Sequence, residues 1–323
     1  MWVKPVELSK HVKRLAAEVG FNRCGITTAE PIGRADYFRA WLAGGRAGSM
    51  SYLHRYFNER TDPRALLRGA RSVIVVALSY HQPTPVREAD GYVRGRVARY
   101  AWGEDYHVVL RRKLSQMIER LRGDVPESSQ FRVCVDTAPL IEREFAARAG
   151  IGWIGKNTMA LNQELGSYFF LGAIVTTLEL APDAPAVDHC GSCTACLDAC
   201  PTKAFPQPYE MDASRCISYL TIEHRREIPE EFQPAIGDWL FGCDVCQEVC
   251  PFNRHAPTTV ESAFTPRSPN PAPSVDEVLS WSAGDYSREL RGSAMKRAKL
   301  DMLQRNARII KENDEESKSQ NDK

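Results

Sequence analysis

Cys190-Gly-Ser-Cys193-Thr-Ala-Cys196-Leu-Asp-Ala-Cys200-Pro201 reads C-x2-C-x2-C-x3-C-P, the spacing that seats an iron–sulfur cubane in bacterial ferredoxins. Three thiolates two residues apart reach three irons of one cube from a single turn. The fourth is set on a different heading and ligates a second cluster. Pro201 fixes the direction of the chain beyond the loop. A second half follows, with Cys216 and then Cys243-Asp-Val-Cys246-Gln-Glu-Val-Cys250-Pro251, whose tail repeats the C-x3-C-P ending. Eight of the ten cysteines then divide into two crossed sets. Cys190, Cys193 and Cys196 join Cys250; Cys216, Cys243 and Cys246 join Cys200. Structural zinc is the weaker alternative, because paired C-x2-C knuckles have no use for a third cysteine or for the C-P endings. Disulfides are weaker still without a secretory signal at the start.

With 323 residues the chain has room for two or three units, one of them large enough for its own core. Its 42 basic and 41 acidic side chains give a formal net charge of +1, so any polyanion-binding surface must be local. No run approaches the roughly 18 apolar residues of a membrane span. Thiolate clusters and the missing signal lead us to expect a cytoplasmic, monomeric protein with no membrane partner.

Working outward from the cysteines, Tyr168 to Leu178 and Ser72 to Tyr80 are long apolar runs, expected as strands covered on both faces. Phe21 to Thr27 and Phe131 to Val135 are shorter strands. Leu8, Val12, Leu15 and Val19 mark a helix stopped by Gly20, and Leu110, Leu114, Met117, Ile118 and Leu121 mark another. Pro139 is expected to open a helix from Leu140 to Ala149. The alternation predicts an α/β domain over residues 1–180, followed by a ferredoxin-like two-cluster domain over 181–254. A connector follows, rich in prolines (Pro257, Pro266, Pro269, Pro271 and Pro273), and leads into a basic helical segment ending near 311. The all-polar tail 312–323 is expected to be disordered.

Clusters alone mean electron transfer, so the acceptor must lie in the larger domain. Gly150-Ile-Gly-Trp-Ile-Gly-Lys156-Asn157 nearly matches a nucleotide P-loop. It lacks the hydroxyl after the lysine and the preceding strand that such a loop needs. It reads either as a Gly-rich loop against which a large planar ligand packs or as a tight turn. Asp136 falls at a strand's end, where it would serve equally as a proton donor in a ligand crevice or as a helix cap. Arg99, Tyr100 and His107 form a polar-aromatic cluster that fits a site or a surface loop. His107 by itself is more often a structural residue than a ligand. Between Arg288 and Lys311 the bases Arg288, Arg291, Lys296, Arg297, Lys299, Arg305, Arg308 and Lys311 face only Glu289 and Asp301. Such a run suits a solvated helix face as well as a phosphate-contacting one.

Taken together, several segments resemble the epoxyqueuosine reductases, cobalamin-dependent iron–sulfur enzymes of tRNA queuosine synthesis. They are Arg99-Tyr-Ala-Trp-Gly-Glu-Asp-Tyr-His107, Val135-Asp-Thr-Ala-Pro139, Gly150 to Thr158, Gly166-Ser-Tyr-Phe-Phe-Leu-Gly172, the cysteine set, Cys216-Ile-Ser-Tyr-Leu-Thr221 and Gly292-Ser-Ala-Met-Lys-Arg297. The likeness covers residues 5 to about 310; longer members add HEAT-like repeats after this point, where this sequence is expected to hold only one short helical unit. The resemblance implies an α/β (α+β) cobalamin-binding domain, the two-cluster 4Fe–4S domain and a short helical C-terminal segment. It implies corrinoid contacts from Arg60, Arg99, Tyr100, Asp136, Lys156, Asn157 and Thr158. Asp136 would be the proton donor, its pKa raised in a dry pocket. Lys296, Arg297, Lys299 and Arg305 would meet tRNA carrying epoxyqueuosine, and an unidentified low-potential donor would feed the clusters. The alternatives are another corrinoid iron–sulfur reductase such as a reductive dehalogenase, a plain electron carrier, and a tRNA-binding factor with structural clusters. Cobalamin uptake separates the corrinoid enzymes from the last two.

Overall fold

A computed structural model of the chain describes residues 4–85, 91–268 and 271–321. Part of the loop expected after Tyr80, Pro269 of the connector and the last two residues of the tail lie outside the described residues. The large domain is built on helix α1 (Pro5–Val19), strands β1 (Arg23–Thr28) and β2 (Ser72–Ser79), helix α2 (Tyr106–Leu121), strand β3 (Phe131–Cys134), helix α3 (Glu142–Arg148) and strand β4 (Phe169–Thr176). The sheet order is β1-β2-β4-β3 and every neighbouring pair is antiparallel. The register sets Ile26 beside Ile74 and places Ala173 opposite both Val75 and Cys134.

The long apolar runs are covered on both faces, as expected, because β2 is buried at all eight positions. With side chains alternating across the sheet, Ile74, Val76 and Leu78 pack with α1 and α2 in one core. Val73, Val75 and Ala77 pack with Phe145 and Ala146 of α3 in another. The strand direction was not fixed by the apolar runs: burial on both faces shows that a strand is sandwiched and leaves its direction open. Helix α3 starts at Glu142, two residues later than expected, and Pro139 lies before it.

Two short helices, Ala195–Asp198 and Val245–Glu248, lie within the two halves of the cysteine motif, carrying Cys196 and Cys246, and pack on each other. The cluster segment is woven into the rest: its strand Trp239–Phe241 pairs in parallel with Arg96–Val97. A third core joins that pair to helices Val275–Ser280 and α4 (Leu300–Asn321).

Two expectations about the C-terminal part are corrected here. The tail expected to be disordered from residue 312 continues α4 as far as Asn321. Helix nucleation is the costly step, and Met302, Leu303, Ala307 and Ile310 already anchor the first half in a core. Beyond them Asn313 donates to Gln233 O (3.0 Å) and Gly237 O (3.2 Å), and Lys318 pairs with Asp314 at i,i+4 spacing. Arg305, expected to meet tRNA, is 3 % exposed. Its guanidinium donates to the backbone carbonyls of His224 (2.7 Å), Leu220 (2.8 Å) and Arg226, and to Asn306 Oδ1. Those carbonyls face a buried helix side and need a donor, so Arg305 braces the fold. No helix among the described residues is long and apolar enough to cross a membrane.

Candidate active site

Asp136 follows directly on β3 with φ +47°, the left-handed region that a non-glycine residue rarely occupies. It caps no helix, since the N-cap of α3 is Ile141 and makes no side-chain bond. Instead its backbone N–H donates to Glu142 Oε1 (2.6 Å), and its carboxylate Oδ2 lies 2.9 Å from His107 Nε2. The other ring nitrogen, Nδ1, lies 2.7 Å from Asp105 Oδ1. Asp105 is the N-cap of α2 and also accepts from His107 N (3.0 Å). A carboxylate–imidazole–carboxylate row therefore runs from the start of α2 to the strained turn after β3. Tyr106 stacks between the His107 ring (centroids 4.1 Å apart) and Phe170 (4.2 Å), which fixes the row against the sheet.

The charges in this row are coupled. Burial by itself would lower the pKa of His107, but hydrogen bonds to Asp105 and Asp136 outweigh it and push the pKa up to about 9. Burial would likewise raise Asp136, yet the hydrogen bond and charge of His107, with Tyr106 and Arg297, hold it below the ordinary carboxylate value. The expectation of a raised Asp136 is thus corrected: a cation beside a carboxylate favours its ionised form, and the proton of this pair rests on the imidazole. Glu142, desolvated and facing Asp136, is pushed up to about 7. Arg143, next along, is held below its ordinary value by desolvation, although its residue surface remains exposed. Asp136 and Arg143 are exposed at this turn, the floor of an open charged face, hereafter the bowl.

Around that floor stand residues that sequence reasoning missed. Tyr52 lies under the guanidinium groups of Arg60 (6.0 Å from the ring centroid) and Arg297 (5.4 Å), and it feels the charge of Asp136. Arg60 is 8 % exposed and its Nε has no partner among the described residues. Arg297 is held by Glu223 through two hydrogen bonds of 2.7 and 3.0 Å. Lys296 and Lys299 project from the surface on either side of it. Of the missed groups, Asp105 and Tyr106 were visible in the sequence as a contiguous D-Y-H with His107, which the sequence reading had favoured as structural. Tyr52 and Glu142 gave no signal.

The expected Lys156-Asn157-Thr158 loop divides between two places. Lys156 donates to Gly191 O (2.6 Å) and Cys193 O (2.9 Å), and Asn157 donates to Cys246 O (3.4 Å). Both brace the cysteine loops, so their direct role at a corrinoid is corrected: the ammonium is used up by carbonyls of the turn that carries Cys193. Only Thr158 (φ +62°) turns toward the Asp136 side, where its carbonyl accepts from Arg143. The glycines of this segment serve a close-packed hairpin, Trp153–Ile154 with Ala160–Leu161; a Cβ on Gly152 would sit 2.0 Å from Leu161 O.

All ten cysteines are free thiols, and the eight motif cysteines gather as their spacing expects. Cys190, Cys193, Cys196 and Cys250 line one pocket, closed by Lys156, Asn157 and Phe252. Cys243 and Cys246 feel the charge of Cys216, and Cys216 that of Cys200. These groupings follow the two crossed sets expected from the spacing. Trp153 Nε1 donates to Cys190 Sγ (3.4 Å) and Ala204 N to Cys200 Sγ (3.3 Å), contacts of the kind that tune cluster potentials. Cys193 is exposed, while Cys246 is partly buried near Cys216, Cys243 and Asp244, so the first set has the more open edge.

Arg99 ties the second set to the large domain. Its backbone N–H donates to Asp244 Oδ2 (2.7 Å), and its guanidinium reaches Glu248 (3.1 Å), Tyr168 Oη (3.1 Å) and Thr84 (2.6 Å). Asp244, 2 % exposed, is pushed up to about 6 by burial against the pull of Arg99. Tyr100 feels both Asp136 and Asp244 and so lies between the bowl and the inner cysteines.

Residues 189–253 match the family described as 4Fe-4S double cluster binding domain. Residues 60–137 match the one described as epoxyqueuosine reductase QueG, DUF1730. An epoxyqueuosine reductase of Leadbetterella byssophila is 41% identical over 308 residues, covering 95% of this chain and 99% of its own. That of Escherichia coli strain K12 is 40% identical over 294 residues, covering 90% and 77%. Among solved structures, an epoxyqueuosine reductase with a tRNA-Tyr epoxyqueuosine-modified stem loop superposes with a TM-score of 0.88 at 34% identity, covering 94% of this chain and 80% of that one. The enzyme of Streptococcus thermophilus gives 0.86 at 31%, covering 94% and 80%. The chain belongs to the epoxyqueuosine reductase family.

Proposed function

We propose that the chain reduces epoxyqueuosine to queuosine at the wobble position of tRNA, with Asp136 delivering protons to the epoxide oxygen. The observation that carries this reading is Asp136 itself, an acid held in a left-handed turn after β3 and hydrogen-bonded to an imidazole, in a chain that also carries a double-cluster cysteine domain. Removing an epoxide oxygen as water takes two electrons and two protons. Both C–O bonds break, a C=C bond forms, and both protons end on the oxygen.

The two 4Fe–4S clusters supply electrons one at a time, entering by the exposed Cys193 set and leaving by the set containing Cys246. Their donor is a low-potential one-electron carrier. Bound cobalamin would supply a strongly reducing, nucleophilic metal centre. Arg60, Tyr100 and Thr158 are the residues placed to hold it. Arg60 Nε is buried without a partner among the described residues, a donor that the amide-rich rim of a corrin would satisfy. Arg99, Lys156 and Asn157 act behind them, fixing the cluster loops against the bowl.

Asp136 holds its proton-transfer position because Glu142 pins its backbone and His107 its carboxylate. Lys296 and Lys299 are exposed beside Arg297 in the chain, and Arg297 is close enough to lower the pKa of Asp136. Phosphate contacts there would position the stem loop while the bowl reads the modified base. The stem loop bound by the relative supports a tRNA substrate here.

Anaerobic reconstitution with iron and sulfide, followed by cobalamin, a low-potential reductant and an epoxyqueuosine stem loop, tests the reading. We expect the nucleoside to lose one oxygen by mass spectrometry, and no conversion without cobalamin. Fully loaded protein that leaves the epoxide intact refutes the activity. Undiminished conversion without cobalamin refutes the corrinoid alone.

A further inference from the structure

We propose that His107 is the proton store of this site, recharging Asp136 during turnover while Asp105 holds the ring for that task. The inference rests on the reading of Asp136 as the acid at the epoxide oxygen.

The stoichiometry requires such a device. Two protons must reach one oxygen, and a single carboxyl carries one. Asp136 is further handicapped, because it rests ionised beside its partner. The row Asp105–His107–Asp136 sets a charged donor beside that carboxylate. His107 Nε2 lies 2.9 Å from Asp136 Oδ2, within direct proton-transfer reach, and the ring cannot turn away because Nδ1 is held at 2.7 Å by Asp105. The stack on Tyr106 blocks tilting. A helix N-terminus normally disfavours a cation, yet His107 is the second residue of α2; two carboxylates, one on each nitrogen, offset that bias.

The groups facing the ring from each packed element fit the assignment. The α2 cap supplies Asp105, with Arg111 one turn on, engaged by Thr137 (2.7 Å). The turn after β3 supplies Asp136, with Glu142 behind it. The segment before α4 brings Arg297 to the far side of Asp136, bound by Glu223. Only Asp105 and Asp136 act on the ring directly.

In the reaction, the Nε2 proton passes to Asp136 and on to the oxygen as the first C–O bond opens. A second proton then enters the same couple from solvent and follows as the oxygen departs as water. The two electrons come singly from the clusters, and no other reductant is involved. His107 touches Asp136 and not the substrate, so it is a positioning and proton-storing residue.

Two readouts test this. The first is the pH dependence of conversion by reduced, fully loaded enzyme. A ring titrating at about 9 stays charged below that pH, so wild-type activity should fall only as pH rises through about 9. His107→Gln should lose about 10–100-fold at pH 7.5, within the range of acid–base effects, and its remaining activity should decline from a lower pH. Asp105→Asn should keep its activity at low pH while its alkaline limb moves from about 9 toward the free-imidazole value of about 6.5. The second readout needs no cofactor: the ring 15N shifts of His107 in protein as purified should titrate near 9, and nearer 6.5 in Asp105→Asn. An alkaline limb unmoved in both variants overturns the proposal, as does a loss equal at every pH. If His107→Gln fails to fold, Asp105→Asn still decides it. Should Asp136→Asn turn over normally, the acid assignment falls; if it is inactive while both other variants match wild type, only the store falls.

Discussion

Replacing Arg305 by Ala decides between two roles for the basic C-terminal helix. In the folded protein its guanidinium serves three backbone carbonyls, those of Leu220, His224 and Arg226, and the side chain of Asn306. A buried acceptor left without its donor costs about 1–3 kcal/mol. Water entering the space left by the side chain would rescue part of this, so the net loss should be about 3–5 kcal/mol. Unfolding entropy of about 2.1 cal/mol/K per residue gives about 0.7 kcal/mol/K for a chain of this length. The midpoint should therefore drop by about 4–7 °C. Anaerobic thermal unfolding of cluster-loaded protein, followed by tryptophan fluorescence, measures it, with stem-loop affinity measured well below the midpoint. An unchanged midpoint with weakened RNA binding would refute the bracing role and restore Arg305 to the phosphate surface.

Cys200→Ala should first lose the cluster held by Cys216, Cys243 and Cys246, leaving about four irons per chain by iron analysis; loss of the Cys190 set alone would show that the sets are not crossed. Lys296→Glu with Lys299→Glu should weaken stem-loop binding and lower the slope of log affinity against log salt by about 1–2, because each lost phosphate contact releases fewer counterions. Cluster spectra should not change. An unaltered slope would place the RNA elsewhere.

The double-cluster domain was legible because ligand spacing is a local constraint: a C-x2-C-x2-C turn has few other uses, and Cys190, Cys193, Cys196 and Cys250 line one pocket. Asp136 was legible as a strand-end acid, but its state was not. A raised pKa followed from burial alone, whereas the actual balance depends on His107, 29 positions away in sequence and adjacent in space. Arg305 and Lys156 show the converse. A basic side chain reads as a surface charge until its neighbours are known, and both here are consumed by backbone carbonyls that no local pattern reveals. The direction of the strands was hidden for a similar reason, since β2 buries both faces equally well in a parallel or an antiparallel sheet. The helical tail followed from cooperativity with a packed segment upstream, while composition counted only its own polar residues.

The most direct test of Asp136 as the acid is single-turnover conversion of an epoxyqueuosine stem loop by Asp136→Asn, loaded with both clusters and cobalamin and reduced beforehand. Asparagine preserves the shape and can still bond to His107, but it delivers no proton. The rate should fall by at least about 100-fold, in the range of about 10²–10⁴ typical of a lost general acid, with stem-loop affinity and cluster spectra retained. A fall of less than about tenfold would contradict the account and leave the strained turn after β3 without its assigned chemistry.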